Sequence, residues 1–282
     1  MMRTRLPEEP LSRLALWSRR VAVFSIAVVL LSIIIVRYGL LELVSALATF
    51  GGALALAVLA ILLALGAFVV IWREGLRGTG HAVVAAAMGL GILAYPAYLA
   101  TKAYRLPAIN DVTTDPIDPP RFEAIARLRS RETNPITYAG LRAAELQRTA
   151  YPDIEPLLLN VSPQEAYNTA LAVITRRKWR VVDARAPVPG RRDGLIEAVA
   201  RTPIMGFRDD VVVRVRPAQE GARVDVRSAS RYGRSDLGAN ASRVRALIED
   251  IDDAAGSEEE KRKKAVPAKA PAPKKPQGPT RR

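Results

Sequence analysis

Three hydrophobic stretches, Val21 to Val36, Leu47 to Trp72 and His81 to Ala100, fill most of the first hundred residues, and nothing after Arg105 resembles them. Segments of this kind must satisfy their backbone hydrogen bonds without water, which restricts them to helices. A hydrocarbon core about 30 Å thick needs about 20 apolar residues in a helix. The first stretch gives 16 uncharged residues between Arg20 and Arg37, whose long side chains can snorkel and extend the span. The second contains Gly51, Gly52 and Gly66, the third Gly89 and Gly91, small residues that let helices approach closely in lipid. The chain therefore reads as a membrane-anchored α+β protein. A cytoplasmic N-terminus (1–20) precedes a three-helix anchor (21–104), followed by a linker (105–120), a soluble domain (121–255) and a basic Lys/Pro/Ala-rich tail (256–282).

Orientation follows from basic residues in short loops. Arg3, Arg5, Arg13, Arg19, Arg20, Arg73 and Arg77 fall on one side; Arg37, Lys102 and Arg105 fall on the other. The N-terminus is expected in the cytoplasm. Three crossings then put the C-terminal domain outside it, in the periplasm of a bacterial inner membrane. Trp17 and Trp72 mark the inner interface, Tyr38 and Tyr104 the outer one. Ser18 to Arg20 with the following apolar run and Ala46-Leu47-Ala48 faintly suggests a cleavable signal. However, the gap containing Arg37 and Glu42 is too long and polar for a cleavage region, and the next apolar stretch starts at the proposed scissile bond. The spans carry no interior charge, so anchoring is the expectation and ion transport is not.

Charge placement decides what the high isoelectric point, near 10.5, means. Up to Leu106 the net charge is +6, from Pro107 to Ala255 it is +2, and from Gly256 onward +6. The excess lies beside the membrane and in the tail, so the folded part is not expected to bind nucleic acid. The tail has little to bury against its chain entropy and is expected to be disordered. Contact with an anionic envelope component and a purely solubilising role both fit it. There is no cysteine, and His81, at the edge of the third span, is the only histidine. Disulfides, thiolate catalysis, a Ser-His-Asp triad and His- or Cys-rich metal sites in the soluble part are excluded by inventory. No cofactor is implied.

From Leu106 to Pro120 four prolines and three aspartates suggest a linker between bilayer and domain. Short amphipathic helices are expected around Phe122 to Leu128 and Leu141 to Arg148. A better signal is Ser162-Pro163-Gln164-Glu165, a capping box with proline at the first helical position, ahead of Tyr167, Ala170, Leu171 and Ile174 on one face. Strands are expected at 154–160, 179–184, 195–202, 209–216 and 222–231. In the last two, Val211, Val213 and Val215 alternate with Val212, Arg214 and Arg216, and Val224, Val226, Ser228 and Ser230 with Arg223, Asp225, Arg227 and Arg231. That alternation predicts an antiparallel sheet with one buried and one wet face. A final helix with Asn240 as N-cap presents Val244, Leu247, Ile248 and Ile251. The order gives a two-layer antiparallel sheet and helix domain.

The densest polar sequence is Gly206 to Asp210 together with Arg227 to Asn240. If the two strands pair through the turn at 219–221, Asp209, Asp210, Arg231 and Asp236 converge. Adjacent carboxylates can work as acid and base or hold a hard cation, although a Ca²⁺ ion wants six or more oxygens. In the competing reading the aspartates pair with Arg227, Arg231 or Arg243, Ser228 and Ser230 satisfy backbone groups, and Asn240 caps the helix. Ser235 completes the candidate polar cluster. No catalytic residue or metal ligand set is assigned.

The run Gly206-Phe207-Arg208-Asp209-Asp210-Val211, followed by Val226 to Arg231, Gly233, Ser235 to Gly238, Asn240 and Arg243, resembles the signature of domain-of-unknown-function family 1499. The resemblance extends from about Tyr151 to Ile251 and does not cover the membrane helices. It implies a domain boundary and carries no activity. Members of that family often have a cysteine near the domain start, where this chain has Tyr151-Pro152-Asp153-Ile154-Glu155-Pro156, so no role of that cysteine transfers. The resulting expectation is a protein embedded in the bilayer whose domain binds a protein partner or an envelope component. The alternative is a small hydrolase or divalent-cation domain using Asp209, Asp210 and Asp236 with Arg231. A transporter subunit would need a partner supplying ionisable groups.

Overall fold

The computed structural model describes residues 9–265 except Arg131 and Arg191. The N-terminal residues 1–8 and the tail from 266 onward lie outside the described residues. Helices α1 (Arg13–Tyr38), α2 (Leu43–Glu74) and α3 (Thr79–Arg105) are each long and apolar enough to cross a membrane. They pack through small side chains rather than through the expected glycines. Ala53, Ala57, Ala60, Ala64 and Ala67 line one face of α2 and are fully buried. On α1, Ser18, Ser25 and Ser32 recur every seventh residue, each donating its hydroxyl to a carbonyl one turn back. Gly89 alone among the five glycines is tightly packed, since a Cβ there would lie 2.6 Å from the Ile61 side chain. Gly51, Gly52 and Gly91 have open space, and Gly66 only a 4.0 Å contact. In lipid, close backbone approach supplies the dispersion contact that apolar burial cannot, and alanine suffices.

The N-terminal side and the α2–α3 loop are tied together. The Ser12 N–H donates to the Arg77 carbonyl at 2.9 Å and the Arg77 N–H to the Pro10 carbonyl at 3.1 Å. At the opposite end of the bundle α3 runs directly into the soluble domain, where Leu106 packs against the domain core.

The domain is an open antiparallel sheet with helices on one face. Its strands are β1 (Asp111–Thr113), β2 (Leu157–Leu159), β3 (Arg180–Arg185), β4 (Gly194–Arg201), β5 (Arg208–Pro217) and β6 (Ala222–Ser230). The order is β1-β6-β5-β4-β3, and β2 shares the outer edge of β6 with β1. Helices α4 (Leu141–Ala150), α5 (Pro163–Arg176) and α6 (Ala239–Ala265) complete it. Alternation along β4, β5 and β6 sends Ile196, Val211, Val213, Val224 and Val226 toward Val173 and Ile174 of α5 and Leu247 and Ile251 of α6. Both halves of the expected capping box form on α5: the Glu165 N–H donates to the Ser162 hydroxyl, and the Ser162 N–H to the Glu165 carboxylate.

Three expectations need correction. The linker expected over 105–120 does not form: Arg105 ends α3, Leu106 packs on the core, Ile109 and Val112 belong to it, and β1 pairs with Arg227, Ser228 and Ala229. The second face of the sheet is not wet. Phe122 and Ile125, the latter opening a short 3₁₀ helix (Ile125–Leu128), cover Leu195, Val199, Val212 and Ala229 there. Finally, α6 continues through Ala265 instead of stopping near Gly256, with Ala255 buried and Glu258 accepting from the Thr169 hydroxyl of α5 at 3.4 Å.

Candidate functional site

Adjacent strand residues point to opposite faces, and this geometry divides the expected polar cluster in two. Asp209 faces the helices and Asp210 the covered second face, so Asp209, Asp210, Arg231 and Asp236 do not converge.

On the helix face Asp209 accepts from Arg243 Nη2 of α6 at 2.5 Å. Arg243 Nη1 reaches the Ser228 hydroxyl at 2.9 Å and Asn240 Oδ1 at 2.5 Å. Asn240 is fully buried. Its Oδ1 accepts from the Ser228 hydroxyl at 2.8 Å, and its Nδ2 donates to the Asn110 carbonyl at 2.9 Å and to Ser230 Oγ at 3.0 Å. It is therefore a cross-strand clasp and not the N-cap. Asp236 does that work: its two oxygens accept the N–H groups of Gly238 at 2.9 Å and Asn240 at 2.7 Å. Burial pushes the Asp236 carboxyl above its ordinary range, and the Asp209 charge adds to the shift against the opposing N–H donors and Arg243. Ser235 is a turn residue, its hydroxyl accepting from the Leu237 N–H at 3.3 Å.

On the second face Asp210 is fully buried between two guanidiniums. Its Oδ1 accepts from Arg231 Nη2 at 2.7 Å, its Oδ2 from Arg129 Nε at 2.7 Å. Arg227 is paired with Asp111 through Nη2 at 2.7 Å and Nε at 3.0 Å. It donates to the carbonyls of Pro120 and Ile136, both at 2.9 Å, and its guanidinium sits 4.9 Å from the Phe122 ring centroid and 5.5 Å from that of Tyr138. Burial, helped by Asp111 and opposed by Arg227, pushes the Tyr138 phenol up to about 12.

Sequence reasoning missed a third group. Asp225, fully buried, accepts from Arg216 at 2.8 Å, Arg223 at 2.9 Å and Arg214 at 3.1 Å, while Asp115 and Asp118 hold the same arginines from the β1 side. Glu197, also fully buried, accepts the backbone N–H groups of Glu123, Ala124 and Ile125 at 2.8 to 2.9 Å and so caps the 3₁₀ helix from the neighbouring strand. The one sequence signal for these groups was a run of charged residues at strand positions expected to be exposed. Together they fasten the 111–138 segment over the sheet. Among the described residues no group of three or more His, Cys, Asp or Glu side chains is placed to hold a metal ion.

The model of the family described as protein of unknown function (DUF1499) matches residues 111–251. The chain belongs to this family. The match opens at the first residue of β1 and closes inside α6, so the DUF1499 domain includes the strand and the ion pairs that composition assigned to a linker. Of the residues whose pattern resembled the family, Asp209, Ser228, Ser230, Asn240 and Arg243 clasp β5 and β6 to α6, and Asp210, Arg227 and Arg231 hold the covering segment. No curated protein matches the chain.

Proposed function

We propose that this protein is a bilayer-embedded scaffold that holds its DUF1499 domain on the extracytoplasmic face of a bacterial inner membrane, where the domain binds a protein partner or an envelope component and catalyses nothing. One observation carries the reading: the polar residues best suited to chemistry are spent on one another. Asp210 has two arginine partners and no open side, Asp209 lies under Arg243, and the two carboxylates face away from each other. The basic tail from residue 266, which carries Lys269, Lys274, Lys275, Arg281 and Arg282, reinforces the attachment by contact with anionic headgroups or polymer.

A second reading, an acid–base or cation site on Asp209 and Asp236, draws on the raised Asp236 carboxyl beside a second carboxylate. Thermal unfolding of the full chain in detergent, wild type against Asp209→Asn plus Asp210→Asn, with and without Ca²⁺ or Mg²⁺, separates the two. Removing one partner of a buried pair costs about 3–5 kcal/mol, which lowers the melting temperature of a domain this size by about 10 °C. The double variant breaks two such pairs, so the scaffold reading expects at least that loss and no response to metal. A variant that melts as high as wild type, with metal stabilising only the wild type, overturns it.

A further inference from the structure

The domain is attached to its membrane helices at two places, and the second is not the covalent one. Thr202 to Phe207, the turn between β4 and β5, rests against Arg37 at the C-terminal end of α1. Arg37 Nη1 donates to the carbonyls of Pro203 at 2.8 Å and Ile204 at 3.3 Å, and Arg201 Nη1 returns a bond to the Arg37 carbonyl at 3.2 Å. Gly206 lies at φ +71°, and a Cβ there would meet Arg37 side-chain and backbone atoms at 2.9 to 3.4 Å. Only glycine allows both the backbone conformation and the approach. The contact places the turn at the level where α1 leaves the apolar zone. Tyr38, 72% exposed, and Leu40, 64% exposed, lie at the same level. The turn itself carries Ile204, 41% exposed, at its tip, and Arg208 is exposed behind it.

From this geometry we infer that the β4–β5 turn is a membrane-contacting clamp: Ile204 and Met205 enter the headgroup boundary of the leaflet in which α1 ends, and Arg37 latches the turn to the helix. An apolar tip with basic residues beside it matches what an interfacial segment presents to lipid. The inference rests on the helices crossing the bilayer but not on which side the domain occupies. A domain held at both Leu106 and Arg37 cannot swing freely about the end of α3.

The chain has no cysteine, so Ile204→Cys gives a single site for a nitroxide label. The full chain in phosphatidylcholine–phosphatidylglycerol vesicles is compared with the same label at Leu30→Cys, outward-facing in α1, and at Glu220→Cys, beyond the far end of β5. Collision rates with oxygen and with a water-soluble nickel chelate report depth. The clamp predicts a label at 204 favouring oxygen, as at 30, and losing that preference when Arg37→Ala is added. A label at 204 as open to nickel as that at 220, with 30 still in lipid, overturns the clamp while leaving the membrane reading intact. Label 30 in water overturns the membrane reading. A depth at 204 unchanged by Arg37→Ala overturns the latch.

Discussion

Asp115 sits against Arg223 at 2.7 Å and Arg216 at 3.2 Å, and its other oxygen accepts the N–H groups of Ile117 and Asp118. Burial alone would raise its carboxyl, but those N–H donors and the guanidiniums of Arg223 and Arg214 outweigh it and leave the group below the ordinary value of 3.8. With the folded value lower than the unfolded one, the unfolded chain binds more protons in between, so stability rises with pH across that window. The contribution is whole above about 3.8 and is lost as pH falls through the depressed folded value. Asp236, shifted upward, acts in the opposite sense: its contribution is greatest below the ordinary value and is lost as pH rises through the folded one. Asp115→Asn keeps an acceptor for the two N–H groups but removes the charge. Denaturant melts at a series of acidic pH values should show the wild type losing stability more steeply than this variant below about pH 4; parallel acid limbs would show that Asp115 is not a main source of the loss. None of these pairings was legible in the sequence. Hydropathy counts each arginine of β5 and β6 as solvent-facing, and Asp111, Asp115 and Asp118 have the composition of a loop. The two sets meet across about a hundred residues, a separation that no local pattern encodes.

Elements with local causes were readable. The capping box set the start of α5, alternation set β5 and β6, and uncharged length located the three long apolar helices. The α6 start was read one device off, because Asn240 is a favoured cap residue and only the fold shows that it is buried and that Asp236 satisfies the N–H groups. The helix also passes Gly256, because its stop was inferred from lost apolar periodicity, whereas contact with α5 through Glu258 supports another turn. The α5 cap is testable by itself. Ser162→Ala leaves the Glu165 N–H without its side-chain acceptor, and cap removal costs about 1 kcal/mol. Ser162 is exposed and outside the ion-pair networks. The expected result is a melting temperature lower by about 2–4 °C for a domain of this size, with Ser162→Thr close to wild type. If the threonine variant falls as far as the alanine one, the hydroxyl is not the stabilising group.

At the scale of the whole molecule, the proposed sidedness rests on the uneven distribution of short-loop arginines together with an odd number of long apolar helices. The bridge between Leu11 and Arg77 holds the start of α1, with Arg13, beside the α2–α3 loop, with Arg73 and Arg77, so these basic residues cluster at one end of the helical bundle. The proposed placement of the arginine-rich end in the cytoplasm rests on that clustering. Single cysteines make this measurable, because the natural chain contributes no background thiol. In intact bacterial cells with a permeabilised outer membrane, a membrane-impermeant maleimide should modify Glu220→Cys. It should reach Glu74→Cys, beside the α2–α3 loop, only after the inner membrane is opened. The reverse pattern would place the domain in the cytoplasm, and any binding role would then have to be sought among cytoplasmic partners. Equal labelling of both sites in intact cells would mean that the helices do not separate the two ends across a bilayer, which would remove the physical basis for treating them as an anchor.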